Sequence, residues 1–233
     1  MTFEILRKQP IKFYYKDGIK FFEPFKAVDN NKKSLDLFWH HKTNSSSIMT
    51  KSTYNDEFSL YDLELNRADD KFRGTSIVAN PKHKGIGEVL NLASLITFKE
   101  NSFSNYSVFA LRNSIQFYAK YGFNILSGNI NEIIHNLKFI TKSNDKRFFD
   151  TKESAKFFID KLERANKNQK DEYIPICNNL VSDYIKTLAR EGHKIDGDDL
   201  YNHTHMKFST IDTIRNKDYL NELMDKHEID YKI

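Results

Sequence analysis

Residues 81–90, "PKHKGIGEVL", govern how the rest of the chain is read. Gly85 and Gly87 follow Lys82, His83 and Lys84 and lead into an apolar, helix-forming stretch, in a chain with only 8 glycines among 233 residues. A helix opening directly after Gly87 leaves its first N–H groups unpaired. With the positive end of the helix dipole, those groups make an anion site. The absent Cβ atoms of Gly85 and Gly87 allow close approach, and Lys82 and Lys84 add charge. A plain strand-to-helix turn with solvated lysines fits the same spacing.

Working outward, the flanking segments give this junction a setting. Residues 11–25, "IKFYYKDGIKFFEPF", predict two strands around the turn Lys16, Asp17, Gly18. Residues 58–65 alternate as a strand, the polar "NRADDK" connects, and "FRGTSIVA" (72–79) supplies a second, more apolar strand. Val89, Leu92, Ala93, Leu95, Ile96 and Phe98 then make a broad apolar face over 88–100, which predicts a helix. "YSVFAL" (106–111) reads as a buried strand, "NSIQFYAKY" as a helix stopped by Gly122, and "FNIL" (123–126) as a returning strand. "TNSSS" (43–47) reads as a loop.

Beyond Gly128 the period turns helical. Asp150 and Glu153 fit a capping box ahead of Ala155, Phe158, Ile159 and Leu162. Pro175 suits the first position of another helix, which Gly192 stops, and a last helix is expected over 210–227. This change of period divides the chain into residues 1–128, carrying the glycine junction, and an α-helical C-terminal extension over 129–233.

Charge and composition narrow the function classes. Residues 1–140 hold 19 Lys+Arg against 14 Asp+Glu, and residues 141–233 hold 17 against 18, so the positive excess sits with the glycines. It suits an anionic small ligand and is too dilute to argue for nucleic acid. Apolar runs are too short for a membrane span, and the N-terminus has no apolar stretch of signal-peptide length. The single cysteine, Cys177, forms no intrachain disulfide and reads as a buried thiol, pointing to a cytoplasmic protein.

Two motifs carry a family resemblance. "KHKGIG" resembles the pyrophosphate-binding signature of the GNAT N-acetyltransferase superfamily, Arg/Gln-x-x-Gly-x-Gly/Ala. "SIQFYAKYGF" (114–123) resembles that family's second motif, an Ala-x-x-Phe-Tyr-x-Lys-x-Gly-Phe pattern. The similarity spans residues 58–127. Lys82 stands where Arg or Gln is usual, His83 where Gly is common, and Ser114 where Ala is common; Leu111 occupies a position often held by Asn.

The resemblance implies an α+β fold with a mixed, mostly antiparallel central sheet flanked by helices. It implies acetyl-CoA as co-substrate, held in a gap between two parallel strands, 72–79 and 106–111. Pantetheine would pair with backbone at Ile77, Val78 and Ala79, and pyrophosphate would lie over Lys82, His83, Lys84, Gly85, Ile86, Gly87 and Glu88. Ser114 and Phe117 would border the cofactor. An amine would attack the thioester directly, with Tyr118 giving a proton to the departing thiolate. Two early helices are also implied, though residues 26–57 mark them poorly.

For the base, the nearest carboxylates are Asp62 and Glu64, two apart and so on one strand face. His40 and His41 beside Trp39 are further candidates. The acceptor class stays open among small amines, protein amines and aminoacyl-tRNA, with no membrane partner and with homodimerisation open. A non-catalytic GNAT-fold binding module acting through its helical extension is the alternative, and an interaction protein with a chance match is a third.

No metal is expected. His203 and His205 would share a strand face, but no third ligand follows at a telling spacing. "DGDD" (196–199) lacks the calcium-loop glycine, Tyr201 standing in its place. "KGIG" lacks the Lys-Ser/Thr ending of a P-loop, and Leu90 replaces the last glycine of a dinucleotide fingerprint.

Overall fold

A computed structural model describes residues 9–43, 45–51, 57–196, 199–201 and 203–233, without the side chains of Arg112 and Asn113. The readings at the extreme N-terminus, at Asn44 of "TNSSS" and at Gly197 and Asp198 of "DGDD" lie outside these residues. The chain divides into two units: residues 1–106 with 209–233, and residues 107–208. The boundary expected near residue 128 falls inside the second.

In the first unit, helix α1 (Ile86–Glu100) is the organising element, and every residue from Glu88 to Phe98 is buried. That is more than an amphipathic face, and it fits a helix covered on all sides. Strands β3 (Phe25–Val28), β4 (Ser34–His41), β5 (Ser46–Lys51), β6 (Phe58–Asn66) and β7 (Lys71–Val78) are hydrogen-bonded in that order, and α1 packs on β5, β6 and β7. Each of these neighbouring pairs is antiparallel. The hairpin β1 (Phe13–Lys16) and β2 (Ile19–Phe22) turns at Asp17 and Gly18, as its sequence predicts, and β2 packs on α1. Where the resemblance implied two early helices, the chain forms β3, β4 and β5 instead.

The core beneath α1 is aromatic. Phe72 meets Phe98, Phe103 and Tyr106 at ring separations of 5.6, 5.2 and 4.5 Å. The Tyr106 hydroxyl donates to that of Tyr61 at 2.5 Å. Gly74 makes room for this pair, since a Cβ there would lie 2.3 Å from the Tyr61 oxygen.

The second unit holds most of β8 (Asn105–Leu111), then α2 (Arg112–Lys120), β9 (Asn124–Ile125), α3 (Ile130–Thr141), α4 (Phe149–Arg164), α5 (Lys167–Arg190) and β10 (His203–Ser209). Strand order is β8-β10-β9, with β9 antiparallel to β10. The expected capping box at Asp150 does not form, because a short 3-10 turn capped by Asp145 feeds α4 directly. Helix α5 starts earlier than Pro175: Asn166 and Gln169 make its capping box and the proline lies inside the helix.

The C-terminal extension is therefore not wholly helical. In β10, Thr204, Met206 and Phe208 are buried while His203 and His205 are exposed, the period-two pattern of a strand. After it the chain rejoins the first unit as α6 (Thr210–Arg215) and α7 (Lys217–Lys226), which are separated at Asn216. The overall class is α+β, and among the described residues no helix is long and apolar enough to cross a membrane.

Candidate functional site

The glycine junction lies in the first unit, on the elements its sequence predicts. Ile77 and Val78 end β7 opposite Tyr61 and Leu60, Ile77 half-buried and Val78 exposed. Beyond Ala79, the Ser59 hydroxyl donates to the Asn80 carbonyl at 3.1 Å and accepts from the Asn80 amide at 2.8 Å. Lys82 and His83 are exposed, and Lys84 is half-buried. Gly85 is the N-cap of α1, so Ile86 and Gly87 are already its first helical residues.

Gly85 has two reasons for being glycine that involve no ligand. Its φ of +83° is left-handed, and a Cβ would sit 2.6 Å from the Asn30 side-chain oxygen. The Asn30 amide also donates to the Lys84 carbonyl at 2.8 Å. The β3–β4 turn thus lies against the glycine loop.

Glu88, in the first turn of α1, points inward and is held by the C-terminal segment. Its Oε1 is 2.7 Å from His227 Nε2 and accepts from Lys226 Nζ at 2.5 Å. His227 Nδ1 donates to the Val28 carbonyl at 2.6 Å, and the His227 carbonyl accepts from the Val28 amide at 2.9 Å. The C-terminal segment thus reaches the first turn of the helix that follows the glycine loop. Nothing local in "KHE" (226–228) signals this contact.

The candidate bases on β6 have separate partners. Asp62 accepts from the buried Ser47 hydroxyl at 2.5 Å and from Lys42 Nζ at 3.3 Å. Glu64 pairs with Lys71 at 2.6 Å. The Lys71 hydrogen bond holds the Glu64 carboxyl below its usual range and makes it a weaker base.

In the second unit, α2 carries Ser114, Phe117 and Tyr118. The Ser114 hydroxyl donates to the Leu111 carbonyl at 2.8 Å. Tyr118 is 5 % exposed, its ring 5.2 Å from Phe117 and 5.3 Å from Phe123. His203 and His205 flank the exposed Phe109 ring at 5.1 and 4.9 Å. Among the described residues no group of three or more His, Cys, Asp or Glu side chains is placed to hold a metal ion. Cys177 is buried, and burial pushes its thiol up to about 11, so it stays protonated at neutral pH.

The cofactor candidates therefore form two sets. Residues 77–88 come together at the β7–α1 junction, while Ser114 and Phe117 accompany Tyr118 on α2. No known family model and no curated protein matches this sequence.

Proposed function

We propose that the chain is an acyl-CoA-dependent N-acyltransferase of the GNAT type, moving acetyl from acetyl-CoA to an amine by direct attack in a ternary complex. The observation that carries this reading is the junction itself: strand β7, a glycine turn with exposed Lys82, then helix α1. The second motif supports it by falling on α2 and the turn that ends it, with Gly122 left-handed at φ +100°. The first-turn amides of α1 and Lys82 would take the pyrophosphate. Tyr118 would protonate the thiolate, and the acceptor is an amine of open class.

Calorimetry with acetyl-CoA tests binding, and thiol release across an amine panel tests turnover. Gly87→Val should weaken acetyl-CoA binding, and Lys82→Ala should weaken it less, because one exposed charge contributes modestly after screening. Tyr118→Phe keeps the ring packing and should lower turnover by about 10²–10⁴-fold, the range for one acid–base group. Acetyl-CoA affinity should hardly change. Absence of acetyl-CoA binding would overturn the reading.

A non-catalytic binding module is the second reading. It is favoured by the burial of Tyr118 and by the Lys71 ion pair at Glu64, which leave neither candidate group poised for proton transfer. Acetyl-CoA binding without thiol release on any amine, equal in wild type and Tyr118→Phe, would select it.

A further inference from the structure

The turns of β1–β2, β4–β5 and β6–β7 enclose an open cleft of about 560 Å³ within the first unit, with His41 and Ser46 on its wall. It is a different place from the glycine junction. Lys71, at one end of β7, lines the cleft, and Val78 lies at the other end, roughly 23 Å away at the usual rise per strand residue.

His41 and Ser46 are direct partners across β4 and β5, and the Lys42 amide donates to the Ser45 carbonyl to close the turn between them. Ser46 Oγ is 3.0 Å from His41 Nδ1, and the Tyr14 hydroxyl is 2.8 Å from His41 Nε2. Phe21 meets the imidazole edge-on at 4.6 Å, and the Trp39 ring lies parallel to it at 6.2 Å, so its orientation is fixed. A hydroxyl beside a base, with the base oriented by a third group, is the arrangement of an activated nucleophile. Burial, and then the charges of Lys16 and His40, hold the imidazole below its usual 6.5, with Asp17 opposing, so it is unprotonated at pH 7 and open to accept a proton.

We propose that this cleft is a second active site, independent of the acyl-CoA reading, in which Ser46 attacks carboxylic esters of small, uncharged polar alcohols. The ligand class follows from the lining, where Lys16, Lys42 and Lys71 balance Asp17, Glu64 and Asp69. Ser46 Oγ bonds to the acyl carbon and its proton moves to His41 Nδ1, while Tyr14 holds the Nε2 proton. The bond from the acyl carbon to the alcohol oxygen breaks, and that oxygen leaves with the proton from Nδ1. Water then attacks the acyl-serine; it gives one proton through Nδ1 back to Oγ, and the acid departs. Lys16 supplies positive charge for the oxyanion.

The test treats the full chain with a fluorophosphonate and maps the adduct by peptide mass spectrometry. The expected result is one adduct, on Ser46, formed faster as pH rises through the His41 titration. Labelling should slow by at least about 10²-fold in His41→Gln, and Ser46→Ala should lose p-nitrophenyl acetate hydrolysis. No adduct, an adduct elsewhere, or equal labelling of wild type and His41→Gln overturns the proposal. Mapping on the unaltered protein decides even where a variant fails to fold.

Discussion

His227 Nε2 lies 2.7 Å from Glu88 Oε1 across 139 residues of sequence, with both side chains buried. The other ring nitrogen faces the Val28 carbonyl, which only accepts, so a proton must also lie between Nε2 and the carboxyl oxygen. The first turn of α1 is thereby tied both to the C-terminal segment and to β3.

Removing that tie should be costly. His227→Ala takes away a buried hydrogen-bonded partner of Glu88 and the ring contact to Val28, and a loss of about 3 kcal/mol is expected. Urea unfolding monitored at Trp39 measures it. A loss below about 1 kcal/mol would place the pair among contacts of ordinary surface value.

Gly85 should show strain of two separable kinds. Gly85→Ala is expected to cost about 1–2 kcal/mol for the left-handed backbone, and more for the clash with Asn30. Combining it with Asn30→Ala should recover the second part only. A double-mutant cycle reads the coupling, and strict additivity would show that Asn30 yields without cost. Gly87, with no left-handed backbone to lose, is therefore the cleaner probe of cofactor binding.

Much of the chain from residue 58 to 125 was legible because its signals are local. β6 alternates, and Gly122 stops α2 with a left-handed φ of +100°. β4 was missed because apolar residues occupy both its faces: Leu35, Leu37 and Trp39 alternate with Phe38, which blurs the period. β5 begins inside a serine run that reads as loop. At the candidate site, the order of strand, glycine turn and helix was readable, but the helix opens at Ile86, two residues before the start that the spacing suggests. The grip of Lys226 and His227 on Glu88 was not readable, since no spacing encodes a partner so distant in sequence.

Acid should weaken the far end of α1. Burial alone raises the Glu100 carboxyl, but hydrogen bonds from Lys20 and Tyr231 outweigh it and hold the group below its usual 4.5. A depressed folded-state value contributes stability that is fully present above the unfolded value, near 4.5, and is lost as pH falls through the folded value. The urea midpoints of wild type and Glu100→Gln should therefore differ by a constant amount above about pH 5 and converge below it. A gap that persists undiminished at pH 3 would assign the difference to packing.

The last prediction concerns where the chain can be cut. If the glycine junction belonged to an independent segment ending near residue 128, a truncated chain would keep its fold. Instead Leu220, Leu223, Met224, Ile229 and Ile233 are buried in the first unit, and Tyr231 donates to Glu100 at 2.7 Å. Burying five such side chains contributes roughly 7–15 kcal/mol, comparable with the whole stability of a typical domain. Ending the chain after Asn216 should therefore unfold the first unit and abolish acetyl-CoA binding with it. Circular dichroism and calorimetry on the truncated chain check this. A folded remnant that still bound acetyl-CoA would show that α7 and the tail merely cover a self-sufficient core.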